Sequence, residues 1–164
     1  MSDRNPIVIV NGERTPMGGM QGDFASVTAS QLGAAAIGSA LQRAGVHGKD
    51  VEEVIIGNVL GAGQGQAPAR QASKGAGIPN SVGATTVNKM CGSGMKATML
   101  GHDLLFAGSA NVVVTGGMES MTNAPYLLEK AREGFRIGHG EIKDHMFLDG
   151  LEDAYDAGCV MGVF

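Results

Sequence analysis

One of the two cysteines in this 164-residue sequence stands where a thiol can do chemistry. The stretch Thr85–Ala97 reads TTVNKMCGSGMKA: a β-branched run leads into Asn88-Lys89-Met90, and Cys91 falls just before a Gly-Ser-Gly opening to a long helix. A cysteine in that place faces unpaired N–H groups and the positive end of a helix dipole, which favours the thiolate. Gly92 and Gly94 carry no side chains beside the sulfur, so a bulky thioester could approach the backbone there. The same N–H groups could stabilise an oxyanion when that thioester is attacked. The arrangement is the strand–nucleophile–helix turn of hydrolases with sulfur in place of oxygen, and it suits a cysteine that carries an acyl group. A free cysteine can equally be a small buried hydrophobe. The residue types by themselves leave both readings open.

The elements that must position Cys91 are legible in the hydrophobic pattern. Ile7–Val10 is a β-branched run ended by Asn11-Gly12 and Thr15-Pro16, and it predicts a first strand followed by a loop through Phe24. Thr28 with Gln31 forms a capping box, and Leu32, Ala36, Ile37, Ala40, Leu41 and Ala44 make one apolar helical stripe that Gly45 is placed to stop. Val54–Ile56 predicts a second strand, Ala67–Lys74 a short helix with Pro68 in its first turn, Thr85–Asn88 a third strand, Gly92–Ala107 a third helix and Val112–Thr115 a fourth strand. A β-α-β-α-β-α-β order with long right-handed crossovers predicts a parallel sheet with helices on its faces, an α/β fold. The reactive end of such a sheet lies beyond the carboxyl ends of its strands, where Cys91 falls. Gly116–Phe164 has no long apolar run and is rich in Met, Gly and charge. It predicts loops and short helices outside the sheet.

Bulk composition narrows the class. The chain is 43% hydrophobic and 17% charged, with 27 glycines, as a soluble α/β domain with many tight corners would be. A net charge of −4 without a Lys/Arg cluster argues against nucleic acid as a partner. Two cysteines, Cys91 and Cys159, make no disulfide framework and suit a reducing compartment. The polar start Met1–Pro6 does not read as a signal peptide, and no apolar run reaches the length of a membrane span. These features predict a cytoplasmic protein with no membrane partner.

The segment Val87–Ala97 resembles the acyl-cysteine signature of the thiolase family, the acetyl-CoA C-acyltransferases. The likeness extends along the chain in order: Arg14-Thr15-Pro16-Met17-Gly18, Gly57-Asn58-Val59, Ala67-Pro68-Ala69-Arg70-Gln71, and Gly116–Met121 followed by Asn123-Ala124-Pro125-Tyr126. It implies a thiolase-like fold with residues 1–117 as an N-terminal α/β domain and 118–164 as the start of a truncated loop domain. It also implies acetyl-CoA C-acetyltransferase or 3-ketoacyl-CoA thiolase chemistry through an acyl-cysteine intermediate, with Cys91 as the acylated residue. Met161, in Val160-Met161-Gly162, is similar to a family methionine near the acyl pocket and is the expected substrate-binding residue. Acyl-CoA and CoA are then substrates, no separate cofactor is implied, and the complete protein would be a homo-oligomer. The family's Gly-His-Pro histidine, Asn-Glu-Ala-Phe segment and second cysteine before glycines have no counterparts here. Gly138-His139-Gly140 is not Gly-His-Pro, and Cys159 precedes Val160. The isolated chain is therefore expected to be inactive. The alternative is a non-catalytic truncated chain or assembly partner that retains the nucleophile.

Other features have plainer readings. Gly61–Gln66 lacks the third glycine and the distant acid of a dinucleotide fingerprint and is expected to be a strand-to-helix loop. His102 lies roughly 16 Å along the helix from Cys91, at ~1.5 Å per residue, and is excluded as its direct base. Met95, Met99, Leu100, Leu104 and Leu105 are expected to pack in the core. Met118, Met121, Met146 and Met161 could shape an acyl pocket or simply fill gaps. Lys130, Arg132, Arg136 and His139 read as a solvated basic face, or as a contact for another subunit or for CoA phosphates. Asn58 and Glu119 each follow a strand on the reactive side and are candidates for supporting roles.

Overall fold

The computed structural model describes residues 6–163. The polar N-terminal stretch and Phe164 fall wholly or partly outside them. Helix α1 spans Ala29–Ala44. Thr28 caps it: its hydroxyl accepts from the Gln31 N–H while the Gln31 side chain accepts from the Thr28 N–H. Gly45 ends it in the left-handed conformation. Strand β1 (Glu53–Gly57), helix α2 (Pro68–Gly75), strand β2 (Gly83–Val87), helix α3 (Ser93–Ala107) and strand β3 (Val113–Gly117) follow.

The three strands form one sheet in the order β2–β1–β3, all parallel, with Ile55 opposite both Thr85 and Thr115. β1 is central and its residues Val54–Gly57 are all buried, as expected of a parallel strand covered on both faces. On one face, Val54 and Ile56 meet Ala29 and Ile37 of α1, Ala69 and Ala72 of α2, and Met118. On the other lies α3, whose buried residues are small: Ser93, Ala97 and Gly101. A methyl group on Gly101 would sit 2.5 Å from the Thr115 methyl, and one on Gly57 would sit 2.5 Å from the Ser93 carbonyl carbon. The helix therefore lies almost on the backbone of the sheet.

Two expectations fail here. Ile7–Val10 forms no strand, and Ile9 is 85% exposed. A strand needs a ladder partner to satisfy its backbone, and none of the described residues pairs with this run. Met95 and Met99 are not in the core but 72% and 55% exposed, and Phe106 beyond them is 59% exposed. Small residues allow close approach to β1 and β3, so that face of α3 turns inward and the large apolar face is left outside.

After Gly117 the chain leaves the sheet, as expected. It makes a 3₁₀ turn at Met121–Asn123, an antiparallel hairpin of β4 (Tyr126–Leu127) and β5 (Lys143–Asp144), a π-helical turn at Phe147–Leu151 and a 3₁₀ turn at Met161–Val163. Lys143 pairs with Glu129 at 2.9 Å, and that hydrogen bond and charge hold its pKa above the ordinary lysine value.

Candidate active site

The carboxyl ends of the three strands open onto a cavity of about 410 Å³. β1 contributes Gly57, Val59 and Leu60; the turn after β2 contributes Met90 and Cys91; α3 contributes Ser93 and Gly94. Gly117, Met118, Glu119 and Met121 follow β3, and Gly150 and Leu151 close the far side from the π-helical turn. Cys91 is exposed at this cavity, whose walls are largely aliphatic and methionine side chains and glycine backbone.

The turn that presents Cys91 is held by its neighbours. Met90 adopts φ +48°, a left-handed conformation that costs a non-glycine residue roughly 1–2 kcal/mol. Ser93 offsets this: its hydroxyl donates to the Met90 carbonyl at 2.6 Å and accepts from the Lys89 N–H at 2.8 Å. The Gly92 and Ser93 N–H groups donate to the Lys89 and Met90 carbonyls, so these two are not available to an oxyanion. Gly94 also differs from expectation. A methyl group there would meet the backbone of Gly116 and Gly117 at 3.3–3.5 Å, so its small size serves helix–strand packing. A methyl group on Gly92 would make only an ordinary contact, 3.5 Å from the Lys89 carbonyl oxygen, so Gly92 is the less confined of the two.

Asn58 and Glu119, on separate loops, meet. The Glu119 carboxylate accepts from the Val59 N–H at 2.8 Å, the Leu60 N–H at 3.0 Å and the Asn58 side-chain amide at 2.7 Å. Gln64 donates in turn to the Asn58 side-chain oxygen and the Leu60 carbonyl. This network shapes one wall of the cavity. Met118 and Met121 line it as well, whereas Met146 and Met161 are not among its lining residues. Met161 stands in the final 3₁₀ turn. His102 is exposed and stacks on Phe106. Lys130, Arg132, Arg136 and His139 lie on an exposed loop. Gly61–Gln66 is the expected loop, tied down by Gln71 donating to the Gln64 and Gln66 carbonyls.

One participant went unnoticed in the sequence. His145 is 6% exposed and bonds to Asp149 and to the Ala62 N–H across the cavity's rim. The available signal was the four-residue spacing of His145 and Asp149, the spacing of one helical turn, in a region read only as loop. Among the described residues, no group of three or more His, Cys, Asp or Glu is placed to hold a metal ion.

The profile of the family described as thiolase, N-terminal domain, matches residues 7–164. The chain belongs to the thiolase family. Its α/β fold is that of the thiolase N-terminal domain. It is 52% identical to acetyl-CoA acetyltransferase of Schizosaccharomyces pombe over 95% of its own length and 39% of that protein's. It is 54% identical to acetyl-CoA acetyltransferase 2 of Arabidopsis thaliana over 95% of its length and 38% of the relative's. The corresponding enzyme of Cupriavidus necator is 50% identical over 92% of this thiolase chain and 38% of its own. The chain thus spans about two fifths of the length of these relatives.

Proposed function

We propose that this chain supplies the acyl-carrying part of a thiolase-type acyltransferase acting on CoA thioesters. The observation that carries the reading is the exposed residue Cys91 lining an apolar cavity beyond the carboxyl ends of β1, β2 and β3. In the proposed step the Cys91 thiolate attacks the thioester carbonyl carbon of acetyl-CoA, or the 3-keto carbonyl carbon of a 3-ketoacyl-CoA. A new thioester forms on Cys91. From acetyl-CoA the bond to the CoA sulfur breaks and CoA leaves; from a 3-ketoacyl-CoA the bond between the α- and β-carbons breaks and the acetyl-CoA carbanion takes a proton. Met161 is carried as a substrate contact on family likeness alone. The division into residues 1–117 and a loop region from 118 is proposed on the same ground.

Turnover requires groups beyond these. The two titratable side chains lining the cavity are Cys91 and Glu119, and the Glu119 oxygens already accept three hydrogen bonds. A base for the thiol and an acid–base group for the substrate's α-carbon must come from elsewhere, each worth about 100- to 10,000-fold. The relatives' additional length is the natural source, with the complete protein a homo-oligomer. The cytoplasm is the proposed compartment, on composition and two free cysteines. No helix among the described residues is long and apolar enough to cross a membrane.

The test has two parts. Incubation with acetyl-CoA should give a hydroxylamine-labile acetyl mass gain on Cys91, absent in Cys91→Ala; a stable adduct on a lysine instead would defeat the thioester reading. Acetoacetyl-CoA cleavage with free CoA should be undetectable in the chain alone and appear on adding a thiolase C-terminal half. Robust activity in the chain alone would mean that it contains its own base.

A further inference from the structure

The imidazole of His145 joins two walls of the Cys91 cavity. Its Nε2 lies 3.2 Å from the Ala62 N–H and its Nδ1 lies 2.6 Å from Asp149 Oδ2. Ala62 belongs to the loop that carries Leu60, and Asp149 immediately precedes Gly150 and Leu151, so each bond ends beside a lining residue. A backbone N–H can only donate, so Nε2 must accept. The neutral ring then carries its proton on Nδ1, from which it donates to Asp149. With both nitrogens engaged and the side chain buried, His145 has no lone pair left for proton transfer. Its chemistry is that of a spacer.

The same seam is close-packed on either side of the ring. The His145 N–H donates to the Pro125 carbonyl at 3.1 Å, and a methyl group on Gly63 would meet Pro125 Cγ at 3.4 Å. Across the cavity, a methyl group on Gly150 would meet Leu60 Cδ2 at 3.2 Å, so the two walls touch where His145 fastens them. The turn carrying Asp149 is a π turn, closed by the Glu152 N–H donating to the Phe147 carbonyl at 2.8 Å. Single π turns of this kind place side chains off the ordinary helical register.

We propose that His145, locked in its Nδ1–H form between Ala62 and Asp149, is a positioning residue that sets the separation of the Leu60 and Gly150–Leu151 walls and so limits the size of the group Cys91 can carry. The proposal rests on Cys91 being the acyl carrier. Tightly packed apolar walls discriminate by about tenfold or more per methylene, so a small shift of one wall is readable as altered chain-length selectivity.

The test compares N-methyl- and N-octylchloroacetamide as alkylating agents for Cys91 in the whole chain, with glutathione giving the intrinsic reactivity ratio. Wild-type protein should disfavour the octyl probe. His145→Asn keeps a donor for Asp149 but loses the acceptor for Ala62, and should reduce that discrimination about tenfold while leaving the methyl rate unchanged. His145→Gln, which can still reach the Ala62 N–H, should recover part of it. An unchanged ratio in folded His145→Asn overturns the proposal. Nitrogen-15 shifts of the His145 ring in the wild-type chain give an arm that needs no variant. A protonated Nδ1 with a pyridine-like Nε2 is expected, and the opposite tautomer overturns the bridge. Failure of acetyl-CoA to acylate Cys91 even with a thiolase C-terminal half added, with the selectivity change intact, would instead overturn the acyl-carrier reading and leave the wall-setting role standing.

Discussion

Cys91 is exposed at the cavity, while Cys159 is half-buried in a turn where its N–H donates to the Asp156 carbonyl and its carbonyl accepts from the Asp153 N–H. Access and position therefore both favour Cys91 as the reactive thiol. Limiting iodoacetamide followed by peptide mass mapping should label Cys91 first in folded protein. Preferential labelling of Cys159 would show that the turn after β2 does not expose a usable sulfur. Glu119 is the complementary case. A carboxylate beside the nucleophile invites a catalytic role, yet three donors converge on it, and its work is to hold the Asn58–Leu60 backbone against the chain after β3.

At the scale of elements, the position of Cys91 depends on how closely α3 approaches the sheet. A methyl group on Gly57 would lie 2.5 Å from the Ser93 carbonyl carbon and 2.7 Å from the Gly94 nitrogen, backbone atoms that cannot rotate away. Gly57→Ala should cost about 1–3 kcal/mol, the usual range for overpacking a filled interior, and should displace the start of α3. Thr28→Ala is the comparison, because it removes the α1 capping box far from the cavity, at a cost of ~1 kcal/mol. Urea melts give both stabilities, and the Cys91 alkylation rate separates them: it should change in Gly57→Ala and stay constant in Thr28→Ala. A Gly57→Ala protein of wild-type stability and reactivity would show that α3 can move without consequence.

At the scale of the whole molecule, the parallel sheet is incompletely furnished. Among the described residues β3 is an edge strand and Ile7–Val10 is an exposed apolar run without a ladder, and the Met95, Met99 and Phe106 face of α3 meets solvent. Apolar surface on this scale marks a surface that another segment covers, or one prone to association. The isolated chain should bind a hydrophobic dye, self-associate at micromolar concentration and melt with poor cooperativity. Met99→Lys with Phe106→Glu should lower the dye signal by removing the outward stripe. A sharp, monomeric transition at high temperature in the unaltered chain would show that this part of the thiolase fold is self-sufficient.

What the sequence determined by itself was local in origin. The Thr28–Gln31 box and Gly45 bracket α1, short β-branched runs mark β1 to β3, and Gly-Ser-Gly after Cys91 opens α3; each signal acts within a few residues and survives in any context. The motif around Cys91 was legible for the same reason. Contacts between distant segments were not. Ile7–Val10 has strand-forming residues, but a strand exists only where another supplies its hydrogen bonds. Helical spacing showed that α3 has apolar residues without telling which face turns inward. That was decided by the sheet, where Gly57 and Thr115 admit the small Ser93, Ala97 and Gly101 of α3 and leave Met95 and Met99 outside. The pairing of Asn58 with Glu119, 61 residues apart, and of Ala62 with His145, 83 apart, belongs to tertiary structure alone. A hydrogen bond between remote segments leaves no periodicity in the chain, because its geometry is set by where the sheet brings the loops together.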